Sequence, residues 1–427
     1  MAHSTPRPLS IEAIWDKPLV PETGGQAALL VRISGNREAL PPLGQRAAVN
    51  VAFALDRSGS MTGEKLELAK RAAMTAVERL RPKDRAALVS FDSHVYPGFP
   101  LMEMTPGNKR AIKAAIMQIQ AGSATNLSGG WLEAANQLAQ AMQQDHNRGR
   151  VRRVLLLTDG LANNGIVSPH ELAIHASALR QRGISTTTLG LGADFDELLL
   201  TAMAEAGGGN FQFIEHPAQL PAFFDRELEE MLSVAAPGLS LALHFPAGAR
   251  VELVNPFPVE QSNGRWLVSI GDLAAGDDVS LVFLVDLPAG RVGSEQGGYV
   301  NARWFNRETM TNANHRRDFP ALRWTTRAEA ERQAVDPMVA EQAALQRVYV
   351  EQREAMKLDR EGRRAESRQR LHQAADLLAA APPSPRVAEL HDAVFALSEV
   401  DASRAYAEEV RKQVHSDAFR RSRKKEA

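Results

Sequence analysis

The chain has 427 residues and a mass of 46.6 kDa, 44% apolar and 24% charged, which excludes a disordered polymer and leaves room for two or three domains with real cores. Its 50 Lys and Arg balance 51 Asp and Glu, so net charge implies no polyanionic partner, and nucleic-acid binding is disfavoured. The absence of cysteine excludes disulfides, zinc–thiolate sites and thiol chemistry. MAHSTPRPLSIEAIW lacks the continuous apolar segment of a signal peptide, and no later apolar run approaches the ~18 residues of a membrane span, so a cytoplasmic protein is expected.

Ile11 to Trp15 and residues 24–34 read as strands, and Pro41, Pro42 and Gly44 mark a connection. From residue 49 the pattern is βαβ: VNVAFAL as a strand, Lys65 to Leu80 as a helix, AALVSF as a strand and Lys109 to Ile119 as a helix. A further helix begins near Ser128, with Leu132, Ala135 and Leu138 on one stripe. NRGRVRR then leads into VLLLTDG, whose unbroken apolar run fits a parallel strand covered on both faces. A helix at 170–182, the strand STTTLGLG, a helix from Asp196 to Ala206, the strand FQFI and a helix from Pro221 to Leu232 complete a doubly wound α/β domain. SLALHF, RVELVN, RWLVSI, VSLVFLVDL and GYVNARWF are then strands of a small β-sandwich. The expected division is 1–47 as N-terminal strands of the sandwich, 48–234 as the α/β domain, 235–318 as the sandwich and 319–427 as a helical appendage. The α/β domain would thus be inserted in the sandwich, which requires contact between residues 24–34 and 239–305. The appendage reads as two long segments, 325–379 and 386–418, packed as a hairpin. Leu345, Met356, Leu371 and Leu378 are buried on the first, and Val387, Leu390, Val394, Leu397 and Val400 form a stripe on the second.

The chemistry lies at the ends of the α/β strands. Asp56, Ser58 and Ser60 place one carboxylate and two hydroxyls at alternating positions directly after an apolar run, with Gly59 permitting a tight turn. Thr125, in the Gly- and Ser-rich loop GSATNLSGG, and Asp159, at the end of LLLTDG, lie where the carboxyl ends of parallel strands present their loops. Hard oxygen donors from three loops suit Mg²⁺, with Mn²⁺ or Ca²⁺ as alternatives. Taken singly, Asp56 could cap a turn, Ser58 and Ser60 could satisfy backbone groups, and Thr125 could be an ordinary N-cap; the three-part pattern favours the metal. Asn126, Asp92, Asn163 and Asn164 are candidates for the rim.

These segments resemble the von Willebrand factor type A (vWA) domain and its metal-ion-dependent adhesion site. The signature Asp-x-Ser-x-Ser falls on Asp56, Ser58 and Ser60, its threonine on Thr125 and its Asp-Gly step on Asp159 and Gly160, over about residues 48–234. Met61, Gly63 and Lys65 follow as in bacterial and inter-alpha-trypsin-inhibitor-like members, and GRWLVSIGDLAAGDDVSLVFLVDLPA is similar to the β-rich region that follows the domain in bacterial members. The resemblance implies a divalent-metal-dependent protein–protein interaction in which a partner's Asp or Glu completes the Mg²⁺ shell, and by family analogy an AAA+ ATPase as a partner for the appendage.

Two other classes compete. A Mg²⁺-dependent phosphoester hydrolase would need a positioned base, and no histidine falls beside the three motifs; His94, His170 and His175 read as surface or structural residues. A metal-independent scaffold would keep the fold without the ion. Arg148, Arg150, Arg152, Arg153 and the tail Arg420, Arg421, Arg423, Lys424 and Lys425 lack interleaved aromatics, and the tail reads as a solvated helix end. Gly190 and Gly192 shape a turn rather than cradle phosphate.

Overall fold

A computed structural model describes residues 7–39, 48–144, 150–192, 194–262, 264–306, 309 and 311–423. Six strands form one sheet in the order Val95–Glu103, Arg85–Phe91, Val49–Asp56, Val151–Thr158, Ser185–Leu191, Gly208–Ile214. All pair in parallel except Val95–Glu103, which runs antiparallel at the edge. The apolar strands are continuous because successive side chains enter two different cores. Val51, Phe53, Leu55, Leu155 and Leu157 face the helices Glu64–Arg79, Pro106–Met117 and Leu220–Leu232, whereas Ala52, Ala54, Val154 and Leu156 face Leu127–Gln144, Pro169–Gln181 and Glu197–Gly207. Local chemistry sets the helix starts: the side chains of Thr105, Ser168 and Asp196 accept backbone N–H groups of their first turns, and Pro106 and Pro169 follow two of these caps.

The strand pairing required for an inserted α/β domain is present. Gly25–Gly35 lies between Leu9–Trp15 and Asp278–Leu287, antiparallel to both, with Val31 opposite Leu281. A second sheet, built around Val234–His244, Arg265–Ala274 and Tyr299–Asn306, packs against it. Leu29, Val31, Ile33, Leu281 and Phe283 from one sheet meet Leu241, Leu243, Val268 and Val300 from the other, which makes a sandwich. The chain passes from Leu220–Leu232 into Val234–His244 with one residue between them. A polar seam joins the two parts. Glu227, 1% exposed, accepts from Arg153 Nη1 (2.5 Å) and Thr187 Oγ1 (2.6 Å), while its other oxygen accepts from Asn210 Nδ2 (2.9 Å). Arg153 Nη2 reaches Asp272 of the sandwich at 3.4 Å.

The appendage departs from the expected hairpin. After the short helix Arg327–Ala330 come Pro337–Arg360, Arg364–Ala379, Pro385–Ser398 and Glu408–Arg423. Gly362, at φ +82°, breaks the first long segment, and residues 399–407 break the second. Leu345, Leu371, Leu378, Leu390 and Val394 share one core, while Asp359, 2% exposed, accepts from Arg368 Nη1 (2.8 Å) and Tyr406 N (3.2 Å).

The last helix docks on the α/β part. Phe419 lies edge-on to Phe211 at 5.9 Å, Ser416 Oγ accepts from Phe213 N at 3.1 Å, and Lys412 Nζ donates to Phe195 O at 2.7 Å. The expected solvated tail is therefore corrected at Arg423, which is buried with its guanidinium over Phe257 and Phe419. Arg152 and Arg153 likewise lie buried within Val151–Thr158 rather than forming an exposed patch, because their stretch is part of the central sheet. Arg148, Lys424, Lys425 and the 41–44 connection fall outside the described residues. Among the described residues no helix is long and apolar enough to cross a membrane.

Candidate metal centre

Val49–Asp56 delivers Asp56 to the carboxyl end of the sheet, where its Oδ1 accepts from Ser58 N at 2.7 Å and closes a tight turn. The hydroxyls of Ser58 and Ser60 are then 3.1 Å apart. Ser60 Oγ donates to Asp159 Oδ1 at 2.6 Å, which joins the first loop to the end of the neighbouring strand Val151–Thr158. Thr125 enters from a third loop, held by donation of its backbone N–H to Asn163 Oδ1 at 2.9 Å. A methyl group placed on Gly160 would lie 3.4 Å from Ser60 Oγ and 3.5 Å from Thr125 Oγ1, so both hydroxyls flank the same backbone step. Ser58, Ser60, Thr125 and Asp159 are thus brought together. Asp56 adjoins them through Ser58, and its Oδ2 accepts from Thr158 Oγ1 at 2.5 Å.

The family model of the von Willebrand factor type A domain matches residues 50–226, which contain all three loops. The chain carries a vWA domain. It is 29% identical over 250 residues to YfbK of Escherichia coli K12, a match covering 56% of this chain and 42% of YfbK. It is 30% identical over 255 residues to inter-alpha-trypsin inhibitor heavy chain H1 of Bos taurus, covering 58% of this chain and 27% of that protein. The chain therefore spans less than half the length of either relative. The von Willebrand factor type A structure from Catenulispora acidiphila is similar across the whole architecture, with a TM-score of 0.77, 18% identity and 98% of both chains covered.

Within the vWA domain the electrostatics centre on two carboxylates with no exposed surface. Asp56 and Asp159 are both 0% exposed, whereas Ser60 is exposed. Burial pushes the Asp56 carboxyl up to about 6; hydrogen bonds from Ser58 and Thr158 oppose this, and the Asp159 charge adds to it. Lys65, on the first turn of Glu64–Arg79, places Nζ 2.6 Å from Asp159 Oδ2. Sequence reasoning noted Lys65 only as a residue following the first motif; its position on the first helical turn beyond the serines is the signal for this contact. Thr158, directly before Asp159, was not singled out either, although it holds the inner oxygen of Asp56.

The rim candidates divide by role. Asn163 holds Thr125, as described, and Asn126 Oδ1 instead accepts from Gly129 N at 3.0 Å in the first turn of Leu127–Gln144. Asp92 ties two loops: its Oδ2 pairs with Arg57 at 3.3 Å, and its backbone oxygen accepts from Asn126 N at 2.7 Å. Asn164 Nδ2 donates to Ser93 O at 3.4 Å. His94 is exposed, with Nδ1 3.9 Å from Asp92 Oδ1, and His170 and His175 lie on Pro169–Gln181. Among the described residues no set of three His, Cys, Asp or Glu side chains is grouped to hold a metal, so an ion at this vWA site would depend on hydroxyls as well as carboxylates. Two carboxylates and three hydroxyls, without nitrogen or sulfur, fit a hard divalent cation.

Proposed function

We propose that Asp56, Ser58, Ser60, Thr125 and Asp159 surround a divalent cation, Mg²⁺ by donor type, and that a partner protein completes its shell with an Asp or Glu carboxylate. The observation that carries this reading is the contact of Ser60 with both Ser58 and Asp159 beside Thr125, which gathers oxygen donors from three separate loops. When bound, the ion would supply a positive centre for an incoming carboxylate. Asp56 and Asp159 provide charge, Thr158 and Asn163 fix the loops, and exposed Ser60 sits on the approach side. In this reading residues 48–234 recognise the partner, 1–47 and 235–318 form the supporting sandwich, and 319–427 brace the assembly through the docked last helix. The vWA domain acts as an interaction module rather than a hydrolase, since the histidines nearest in sequence lie on the loop surface or on Pro169–Gln181 and not among the five donors.

The test is Mn²⁺ titration followed by water-proton relaxation. Wild type should bind Mn²⁺ with an exchangeable water, and a soluble Glu-containing peptide should displace that water. Asp56→Asn and Thr125→Ala should lose most of the Mn²⁺ affinity while keeping wild-type circular dichroism. Equal Mn²⁺ binding by Asp56→Asn would sink the proposal.

A further inference from the structure

A second feature lies at the opposite end of the sheet from the metal loops. The amino-terminal edge of the α/β sheet and the outer face of the sandwich enclose a cleft of about 1260 Å³, large enough for a small-molecule ligand. Arg150, Arg152, Arg180 and Arg182 line it, against the acidic Glu260 and Asp272. Asp272 is already engaged, accepting from Arg153 Nη2 at 3.4 Å and from Gly238 N at 3.0 Å. Among the described residues the lining thus carries four arginines against two carboxylates.

Arg180 is the distinctive member. Its side chain runs through a slot made by two glycines, one from each part of the molecule. A methyl group on Gly208 would sit 2.8 Å from Arg180 Nε, and one on Gly271 would sit 3.5 Å from Nη2 and 3.0 Å from Gly208 O. Both glycines have positive φ, +69° and +100°. The guanidinium is thus held in place by the seam itself, yet it is poorly satisfied there. Nη1 makes a 3.5 Å contact with Glu205 O, and buried Nη2 has no hydrogen-bond partner among the described residues. Neighbouring Arg153 shows the contrast, with Glu227 and Asp272 both paired to it. A buried guanidinium donor left unmatched is costly and calls for an explanation. Burial pushes Arg180 down to about 10, and Asp272 only partly offsets this, so Arg180 stays charged at neutral pH.

We infer that this cleft binds a small phosphate-bearing ligand, with Arg180 at the seam donating to one phosphate group and exposed Arg182 meeting a second. The planar fork of arginine matches phosphate oxygens, and Ser177 and Ser269 supply further hydroxyls in the same lining. No metal is required, and the metal loops take no part.

The experiment uses the full chain in EDTA at constant ionic strength, titrated with inorganic pyrophosphate by calorimetry and thermal shift, with citrate as a second arm. Wild type should bind pyrophosphate and gain thermal stability. Arg180→Met should weaken binding by about tenfold or more, as expected for loss of a charge-assisted fork, and should itself melt no lower than wild type because an unmatched buried charge is removed. Arg182→Gln, at an exposed position, should weaken binding by about threefold to tenfold without changing the fold. Asp56→Asn should bind pyrophosphate as wild type does. Citrate binding equal to that of pyrophosphate would overturn the phosphate assignment. Absence of a pyrophosphate effect in wild type, or an undiminished effect in Arg180→Met, would overturn the site.

Discussion

Replacing Asp56 by Asn separates the contribution of the proposed metal site from the cost of the buried carboxylate to the fold. The Asp56 carboxyl has no exposed surface and titrates near 6 instead of its ordinary 3.8, chiefly because burial disfavours the charged form. Between those values the native state keeps a proton that the unfolded chain has released. The contribution of Asp56 to stability is therefore fully present below 3.8 and is lost as pH rises through 6. A shift of this size corresponds to about 3 kcal/mol against the metal-free fold at pH 7.5. Asn is nearly isosteric: its carbonyl can still accept from Ser58 N, while its amide would face Thr158 Oγ1, which can reorient to accept. Allowing for that exchange, Asp56→Asn should stabilise the chelated protein by about 1–3 kcal/mol at pH 7.5, raising the melting temperature of the α/β domain by about 2–8 °C. The gain should vanish near pH 4, and added Mg²⁺ should stabilise wild type but not the variant. Calorimetric melts at pH 4 and 7.5, with EDTA and with Mg²⁺, test all three points. A variant that melts at or below wild type at pH 7.5 in EDTA would show that Asp56 is not strained by burial, and the reasoning would be wrong.

Lys65→Met removes the ammonium held 2.6 Å from Asp159; with that competing charge gone, Mg²⁺ should bind more tightly by about 1–2 kcal/mol, or about 5- to 30-fold, in a calorimetric titration. Weaker binding would instead make Lys65 a support for the Asp159 geometry. Glu227→Ala leaves Arg153 buried with a hydrogen bond to Ser185 Oγ and the longer ion pair to Asp272, and should destabilise the protein by about 3–5 kcal/mol in urea unfolding. A change under about 0.5 kcal/mol would show that water reaches the seam and screens the charge.

The α/β strands and the oxygen donors were legible for the same reason: apolar runs buried on both faces leave their last residues at one edge, where Asp56 and Asp159 fall. Elements whose signals are not apolar were missed. Val95–Glu103 is an antiparallel edge strand carrying Pro97 and Pro100 and mostly partly buried or exposed, so it shows no clean alternation. Thr311–Asp318 is a polar strand exposed along most of its length and defined by its ladder with Tyr299–Asn306 rather than by side-chain burial. The last helix is the sharper case. Lys412, His415, Ser416, Phe419 and Arg423 fall at helical spacing and are all buried, but only one is apolar. Their burial rests on specific partners: Thr201 for His415, Phe195 O for Lys412 and aromatic faces for Arg423. Sequence periodicity can show such a stripe only when polar residues are allowed to count as buried.

The insertion also dictates an order of assembly. Gly25–Gly35 sits in the middle of its sheet, and one of its two neighbours, Asp278–Leu287, is made only after the whole α/β part. During synthesis the earlier strand emerges with an apolar face and an open edge, and it keeps both while the inserted domain is completed. Leu9–Trp15 can shield one edge early, but the other waits for its distant partner. The growing chain is therefore most exposed to mispairing while its vWA domain is already folding, so a truncation between residues 234 and 278 should leave a folded α/β domain attached to a sticky, half-built sandwich.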